Sequence, residues 1–261
     1  SNPWGKQKET LLNTYKTIVR PTLEYASTIW SPLTSESNLQ KLQTVQNSTL
    51  HISTGCTADT NQNHLHIETK ILPLKLHYQL HASNLKQKSA LESHPLHNLL
   101  LQEPPTRQMK KTLFQSNYQI LNPPSSALTE TEINNNILLN HTTIVTNYLD
   151  SCPPNKILIE QPPQIHPSEE TLTRKYRTTL AQLRTNKSPL LISYKNKIDQ
   201  TTYPSPLCPL CNTITHDTTH LFNCYKIPTN LNTHDLWTSP CQVTELLDTW
   251  WENLDSVTLE D

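Results

Sequence analysis

The sequence predicts a mainly α-helical chain, and three observations carry that expectation. Glycine is nearly absent, with 2 residues in 261 against 20 prolines. Average usage near 7% would supply many more, so glycine-rich phosphate loops, dinucleotide-binding turns and tight β-hairpins are not expected to organise the fold. Apolar residues recur at i, i+3, i+4 and i+7 in several stretches, which is helical spacing. Hydrophobic and charged contents are both low, at 34% and 16%, which points to modest cores joined by polar linkers. The expected architecture is a bundle-like helical N-terminal part, Pro/Asn/Thr-rich linkers, a small Cys3His zinc knuckle and a C-terminal amphipathic helix.

Residues 1–101 form the first helical region. Within 8–30, Leu11, Leu12, Tyr15, Ile18 and Val19 recur at helical spacing, until Pro21 interrupts and biases Arg20 away from helix. A second helix is predicted over 36–53, with Leu39, Leu42, Val45 and Thr49 or Leu50 as its stripe and Ser35 or Ser37 as N-cap. Gly55, one of the two glycines, suits the C′ position after it. A third helix is expected within 71–90, with Pro73 at N1 and Leu74, Tyr78 or His77, His81 and Leu85 on one face.

Residues 102–165 read as linkers around one helix. Pro104-Pro105, Pro123-Pro124, Pro153-Pro154 and Pro162-Pro163 are the breaks, and Arg107, Lys110 and Lys111 make a small basic cluster in solvated linker. Over 129–150, Thr129 and Glu132 fit a capping box, and Ile133, Ile137, His141, Ile144 and Tyr148 follow one face. His141 reads there as a core histidine.

Residues 166–200 are basic. Ser168 is the expected N-cap, with Glu169 and Glu170 in the first turn, and Leu172, Tyr176, Leu180 or Thr179, and Leu183 make the stripe. Arg174, Lys175, Arg177, Arg184, Lys187, Lys195 and Lys197 follow with no acidic residue between Glu170 and Asp199. Net charge is −1, so any affinity for RNA or DNA needs a local patch, and these seven residues are the candidates. The alternative is a solvated helix face.

Residues 201–230 hold the densest chemistry. Cys208 and Cys211 stand as C-x2-C, His220 follows, and Cys224 comes four residues after that. Two thiolates from one turn, a third and an imidazole suit tetrahedral zinc. Pro206 and Pro209 stiffen the turn. His216 is the competing ligand; His220 is preferred because Leu221 and Phe222 give the site a core. Four protein ligands close the site, which makes it structural rather than hydrolytic. Buried thiols or a disulfide are the alternatives. Cys56, Cys152 and Cys241 are scattered. A metal set beside unpaired cysteines predicts a reducing compartment, nuclear or cytoplasmic, and not secretion. No apolar run approaches the ~20 residues of a membrane span, and SNPWGKQKET lacks a signal-peptide core. Without an initiator Met, the chain reads as a fragment or a processed product.

Residues 231–261 end in the clearest helix. Ser239 caps, Pro240 sits at N1, Gln242 at N3, and Val243, Leu246, Leu247, Trp250, Trp251 and Leu254 form one apolar face. Glu245, Asp248, Glu252 and Asp255 make the helix acidic, so it is expected to pack on the chain rather than bind phosphate.

The segment Tyr15 to Trp30, the groups Leu39-Gln40-Lys41-Leu42-Gln43, Gln46-Asn47 and Thr54-Gly55-Cys56, and then His66, Glu68 and Ile71 to Leu74 follow one another in a set order. Together with the Cys3His cluster, Leu236-Trp237 and the closing helix, they resemble the region downstream of the polymerase core in jockey-like non-LTR retrotransposon reverse transcriptases. The resemblance implies thumb-like helices over 1–101, a zinc-bearing tail, weak and sequence-tolerant binding of RNA or DNA, and action in cis with a polymerase. His51 departs from it, standing where a basic residue is common. The family's palm holds its catalytic metals on an Asp-Asp pair, which this sequence lacks; no apurinic-type endonuclease is expected either. There is no Gly-x-Ser-x-Gly elbow and no His-Glu-x-x-His. The alternative function is a zinc-stabilised structural or protein-interaction module, including a decayed remnant of such an element.

Overall fold

Residues 6–31, 34–100 and 129–257 are described in the computed structural model, and among them the chain is mainly helical with no β-strand. The helices are α1 (Lys8–Thr14), α2 (Arg20–Glu24), α3 (Ser27–Trp30), α4 (Glu36–Thr54), α5 (Gln62–Thr69), α6 (Leu74–Lys88), α7 (His97–Leu100), α8 (Glu130–Ser151), α9 (Arg174–Leu183), α10 (Ile192–Ile198), α11 (Thr218–Asn223), α12 (Asp235–Thr238) and α13 (Pro240–Val257). The expected linker over 102–128, with Arg107, Lys110 and Lys111, lies outside the described residues. The chain divides into two units that alternate along the sequence. One comprises Ser1–Leu12, Leu50–Thr69 and Pro153–Asp261; the other comprises Asn13–Thr49 and Lys70–Cys152. The basic stretch, the cysteine cluster and the closing helix thus share a unit with two pieces of the expected N-terminal region.

In the second unit Pro21 does not end a helix. A π-helical turn, Tyr15–Val19, precedes α2, and the Arg20 N–H reaches back five residues to the Tyr15 carbonyl. Arg20 itself is in the right-handed helical region, against its expected bias. The wider turn accommodates a proline that has no N–H and whose ring crowds the carbonyl four residues back. A small core then forms from Leu39, Leu74 and Tyr78, with Leu23, Trp30 and Leu42 packed on it. The Tyr78 hydroxyl donates to the Leu23 carbonyl at 3.0 Å, and Trp30 meets the Tyr78 ring edge-on at 5.2 Å.

The α4 stripe differs from the expected one. Val45 points outward and Gln46 is buried. The buried loop after α5 has backbone groups that need partners. Gln46 donates to the Leu72 carbonyl at 3.0 Å, and Gln43 accepts from the Leu74 N–H at 2.8 Å. Gln43 thereby caps α6 from a distance, because Pro73 stands at its N-cap and has no side-chain acceptor. In α8 the capping box of Thr129 and Glu132 is present. Its burial concentrates at Ile133, whereas His141 is exposed and so is no core histidine.

In the first unit the basic stretch is broken into pieces. Ser168 caps nothing: His166 caps a 3-10 turn, Pro167–Thr171, and α9 starts only after Thr173. Leu172 is extended between them. α13 begins at Pro240 as expected and buries Val243, Leu246, Leu247 and Trp250. These pack with Leu180 and Leu183 of α9, Leu191, Tyr194 of α10, Leu221 and Phe222 of α11, and Leu236 and Trp237 of α12.

Beside this core lies a buried ion cluster. The Arg184 guanidinium is fully buried. It donates to Glu68 at 2.8 Å, to Glu169, and to the Leu236 carbonyl at 2.6 and 3.1 Å. Lys8 adds a second cation 2.8 Å from Glu68 and 3.9 Å from Glu169. Two cations and two carboxylates balance, which is the condition for keeping such charges out of water.

Gly55 follows α4 with φ +73, the left-handed C′ conformation expected of it. A Cβ there would also meet Thr178 Cγ2 and Oγ1 at 2.6 Å. Gly55→Ala is therefore expected to cost about 1–3 kcal/mol, from the φ penalty and the clash together. Urea unfolding checks this, and a cost near zero would show that the turn can rearrange.

Candidate metal centre

The cysteine turn is built by short-range hydrogen bonds. The Cys208 N–H donates to the Ile214 carbonyl at 2.8 Å, and the Asn212 N–H to the Cys208 carbonyl at 2.8 Å. Asn212 takes the left-handed conformation, φ 54, which asparagine tolerates better than most residues. The chain returns through an isolated bridge between Leu207 and Thr215. Asp217 then caps α11, its carboxylate accepting from the His220 N–H at 2.8 Å. That cap sets His220 in the first turn and Cys224 just past the last, both facing the turn that carries Cys208 and Cys211.

Cys208, Cys211, His220 and Cys224 are all buried, and one ligand atom from each lies within 4.8 Å of the others. His220 Nε2 is 3.4 Å from Cys211 Sγ. The four can hold a metal ion. None of the six cysteines is in a disulfide. Burial alone would raise the Cys211 thiol, but the Thr213 hydroxyl and the Thr213 and Ile214 N–H groups donate to it and bring it down to about 6. Burial pushes Cys208 the other way, up to about 12, with the Cys224 sulfur adding to the rise. A metal ion bound at these sulfurs would displace the protons they carry.

His216, the competing ligand, is not in the set. Its Nδ1 accepts from the Ile192 N–H at 3.0 Å, and its ring lies 5.0 Å from Trp250. Burial drives its pKa down to about 4, so it is a neutral packing residue. The sequence reading did not single out Thr213 and Asp217 in these supporting roles. The signals were a hydroxyl two residues after a ligand cysteine and an Asp three residues before a ligand histidine.

The chain matches no family model, and searches of curated proteins and of solved structures gave no match either. The chemistry of the centre and its surroundings therefore carries the reading.

The cysteine turn is docked on the unit's main core. Thr218 bonds to the Leu183 carbonyl and to Asn186, both at 3.0 Å, and Trp250 Nε1 donates to the Leu221 carbonyl at 3.1 Å. Alongside it lies a groove of about 480 Å³, lined among others by Lys195, Tyr203, Pro209, Trp251 and Leu254.

The seven basic candidates part company here. Four have internal partners, and two of these, Arg177 and Arg184, are buried and so are not available to a phosphate. Arg184 is buried in the ion cluster. Arg177 is buried and paired in a fork with Glu9. Arg174 donates to the Ser53 and Ile52 carbonyls at 2.7 and 2.6 Å. Lys187 pairs with Asp59 at 2.9 Å. Lys175 and Lys197 are exposed and Lys195 is half-buried. Lys175 Nζ lies 3.6 Å from the Trp251 ring centroid and Lys195 Nζ 5.2 Å from that of Tyr203. Of the aromatic rings near the cysteine turn, Tyr194 and Phe222 are core residues and Tyr203 is half-buried.

No described helix is long and apolar enough to cross a membrane.

Proposed function

We propose that this chain is a nucleic-acid-binding region of the kind that follows the polymerase core in jockey-like non-LTR retrotransposon reverse transcriptases, acting with that polymerase in cis. The observation that carries the reading is the groove beside the cysteine turn, lined by Lys195, Tyr203 and Trp251, where Lys195 stands over Tyr203 and Lys175, outside the lining, stands over Trp251. A cation at an aromatic face beside an accessible groove suits an unpaired base with its phosphate, recognised without regard to sequence. Zinc is the proposed ion of the Cys3His set, because three thiolates and an imidazole are its usual closed, structural ligand set. Such a thiolate site needs a reducing compartment, nuclear or cytoplasmic. No polymerase activity is proposed for this chain by itself. Its residues include no Asp-Asp pair to hold two metals, and templated primer extension by the purified chain would refute that.

A second reading is favoured by the internal pairing of Arg174, Arg177, Arg184 and Lys187: a zinc-stabilised structural or protein-interaction module. Titration of a labelled single-stranded RNA at two salt concentrations separates the two. With about three cations engaged, log K is expected to fall with log salt at a slope near −2. The triple variant K175Q/K195Q/K197Q should flatten that slope while leaving metal content and circular dichroism unchanged. Arg177 is left out of the set because its loss would unbalance the pair with Glu9. Absence of binding at low salt, or binding indifferent to salt, would leave the structural module as the better reading.

A further inference from the structure

The second unit carries another set of metal-ligand side chains, unrelated to the cysteines. His77 and His81 stand four residues apart on α6, so both imidazoles project from one face. Their ring centroids are 4.4 Å apart. α2 brings Glu24 to the same spot, with its Oε1 2.9 Å from His77 Nδ1. The two atoms are close but poorly aligned, and this nitrogen makes no hydrogen bond of good geometry. One ligand atom from each of the three lies within 4.8 Å of the other two.

We propose that Glu24, His77 and His81 form a second metal site, a two-histidine, one-carboxylate set for a divalent ion of the zinc class. Donor atoms on a tetrahedral ion of this class sit about 3.4 Å apart. Closure therefore needs side-chain movement on the order of 1 Å, with no change of fold. Imidazole donors select first-row transition ions over magnesium or calcium. Three protein ligands leave a fourth position for water. The junction is already built: α6 and α2 are tied by the bond from Tyr78 to the Leu23 carbonyl. Arg20 Nε donates to Glu24 Oε1 at 2.5 Å, the kind of outer partner that orients a ligating carboxylate. The side chains of Glu24 and His77 are only 12% and 13% exposed, so the ligands are held at a half-buried corner and do not sweep through solvent. The competing account is a plain Arg20–Glu24 ion pair, in which His81 has no part.

The test uses the full chain, stripped of metal and titrated with Co²⁺. Two equivalents are expected. One gives the intense thiolate charge-transfer bands of the cysteine centre; the other gives only weak ligand-field absorption. In H81N the weak second equivalent should bind more than about 100-fold less tightly, beyond the 10–100-fold that loss of an outer partner costs. The thiolate bands should stay as they were and report in the same sample that the chain is folded. E24Q is read by the same rule and covers the case in which H81N fails to fold. A single equivalent in the unsubstituted chain, or a second equivalent that survives both substitutions, overturns the proposal.

Discussion

Arg184→Met is expected to destabilise the unit that holds it by about 3–5 kcal/mol, the loss that follows when one partner of a buried ion pair is removed. Glu68, Glu169 and the Leu236 carbonyl would all lose their guanidinium donors, and Lys8 would be left as one cation for two buried carboxylates. The urea midpoint followed by circular dichroism should fall with little change in slope. The pH dependence gives a second readout. Burial works to raise the Glu68 pKa, but Arg184 and Lys8 together hold it well below its ordinary value of 4.5. A carboxylate lowered in this way contributes stability that is present above its unfolded value and lost as pH falls through the folded one. In the variant that contribution shrinks, so the gap from the parent chain should be widest at neutral pH and should narrow below about pH 4.5. Replacing all four charged side chains of the cluster by apolar ones, K8M/E68L/E169L/R184M, should recover much of the loss. A loss within about 1 kcal/mol at neutral pH, or a gap that widens in acid, would sink this account.

Removing the metal from the cysteine centre is expected to lower the melting temperature by roughly 8–16 °C. An ion present at 1,000 times its Kd contributes about 4.1 kcal/mol, and each kcal/mol shifts a domain of this size by roughly 2–4 °C. The effect should not stay local, because Cys208, Cys211 and Cys224 pack in the same core as Leu183, Trp237 and Trp250. His220→Ala should mimic chelation. His216→Ala should lose stability yet keep the metal, since His216 packs against Trp250 and accepts from Ile192 without facing the ion. Thermal scans beside metal analysis decide the matter: an unchanged melting point, or metal lost from His216→Ala and kept by His220→Ala, contradicts the assignment.

The cluster of Cys208, Cys211, His220 and Cys224 was legible in the sequence because its four members lie within seventeen residues, where spacing alone limits what can meet. α13 was legible for a similar reason, its proline start and apolar stripe being local features. Four of the seven cations have partners that the stretch itself does not show, because the rule applied to them was local too. No acidic residue stands between Glu170 and Asp199, yet Glu9 pairs with Arg177 from 168 positions away and Glu68 with Arg184 from 116. Charge counting along a stretch cannot see such partners. Val45 and Gln46 teach the same lesson in α4: a distant carbonyl, that of Leu72, drew the amide inward and left the apolar residue outside. Pro21 is the opposite case, where a local rule was sound but a wider helical turn met its demand.

The alternation of the two units along the chain has a consequence for biosynthesis. A ribosome finishes the second unit when it has made Cys152, but the first then still lacks everything from Pro153 onward. Glu68 emerges with only Lys8 for a partner and meets Arg184 116 residues later. At about 5–20 residues per second that interval is roughly 6–23 s. During it, the unit made later in the chain can acquire its core while the earlier pieces wait, hydrated and unclosed. Of the two units, the one with the cysteine cluster thus closes later, although it begins earlier in the sequence.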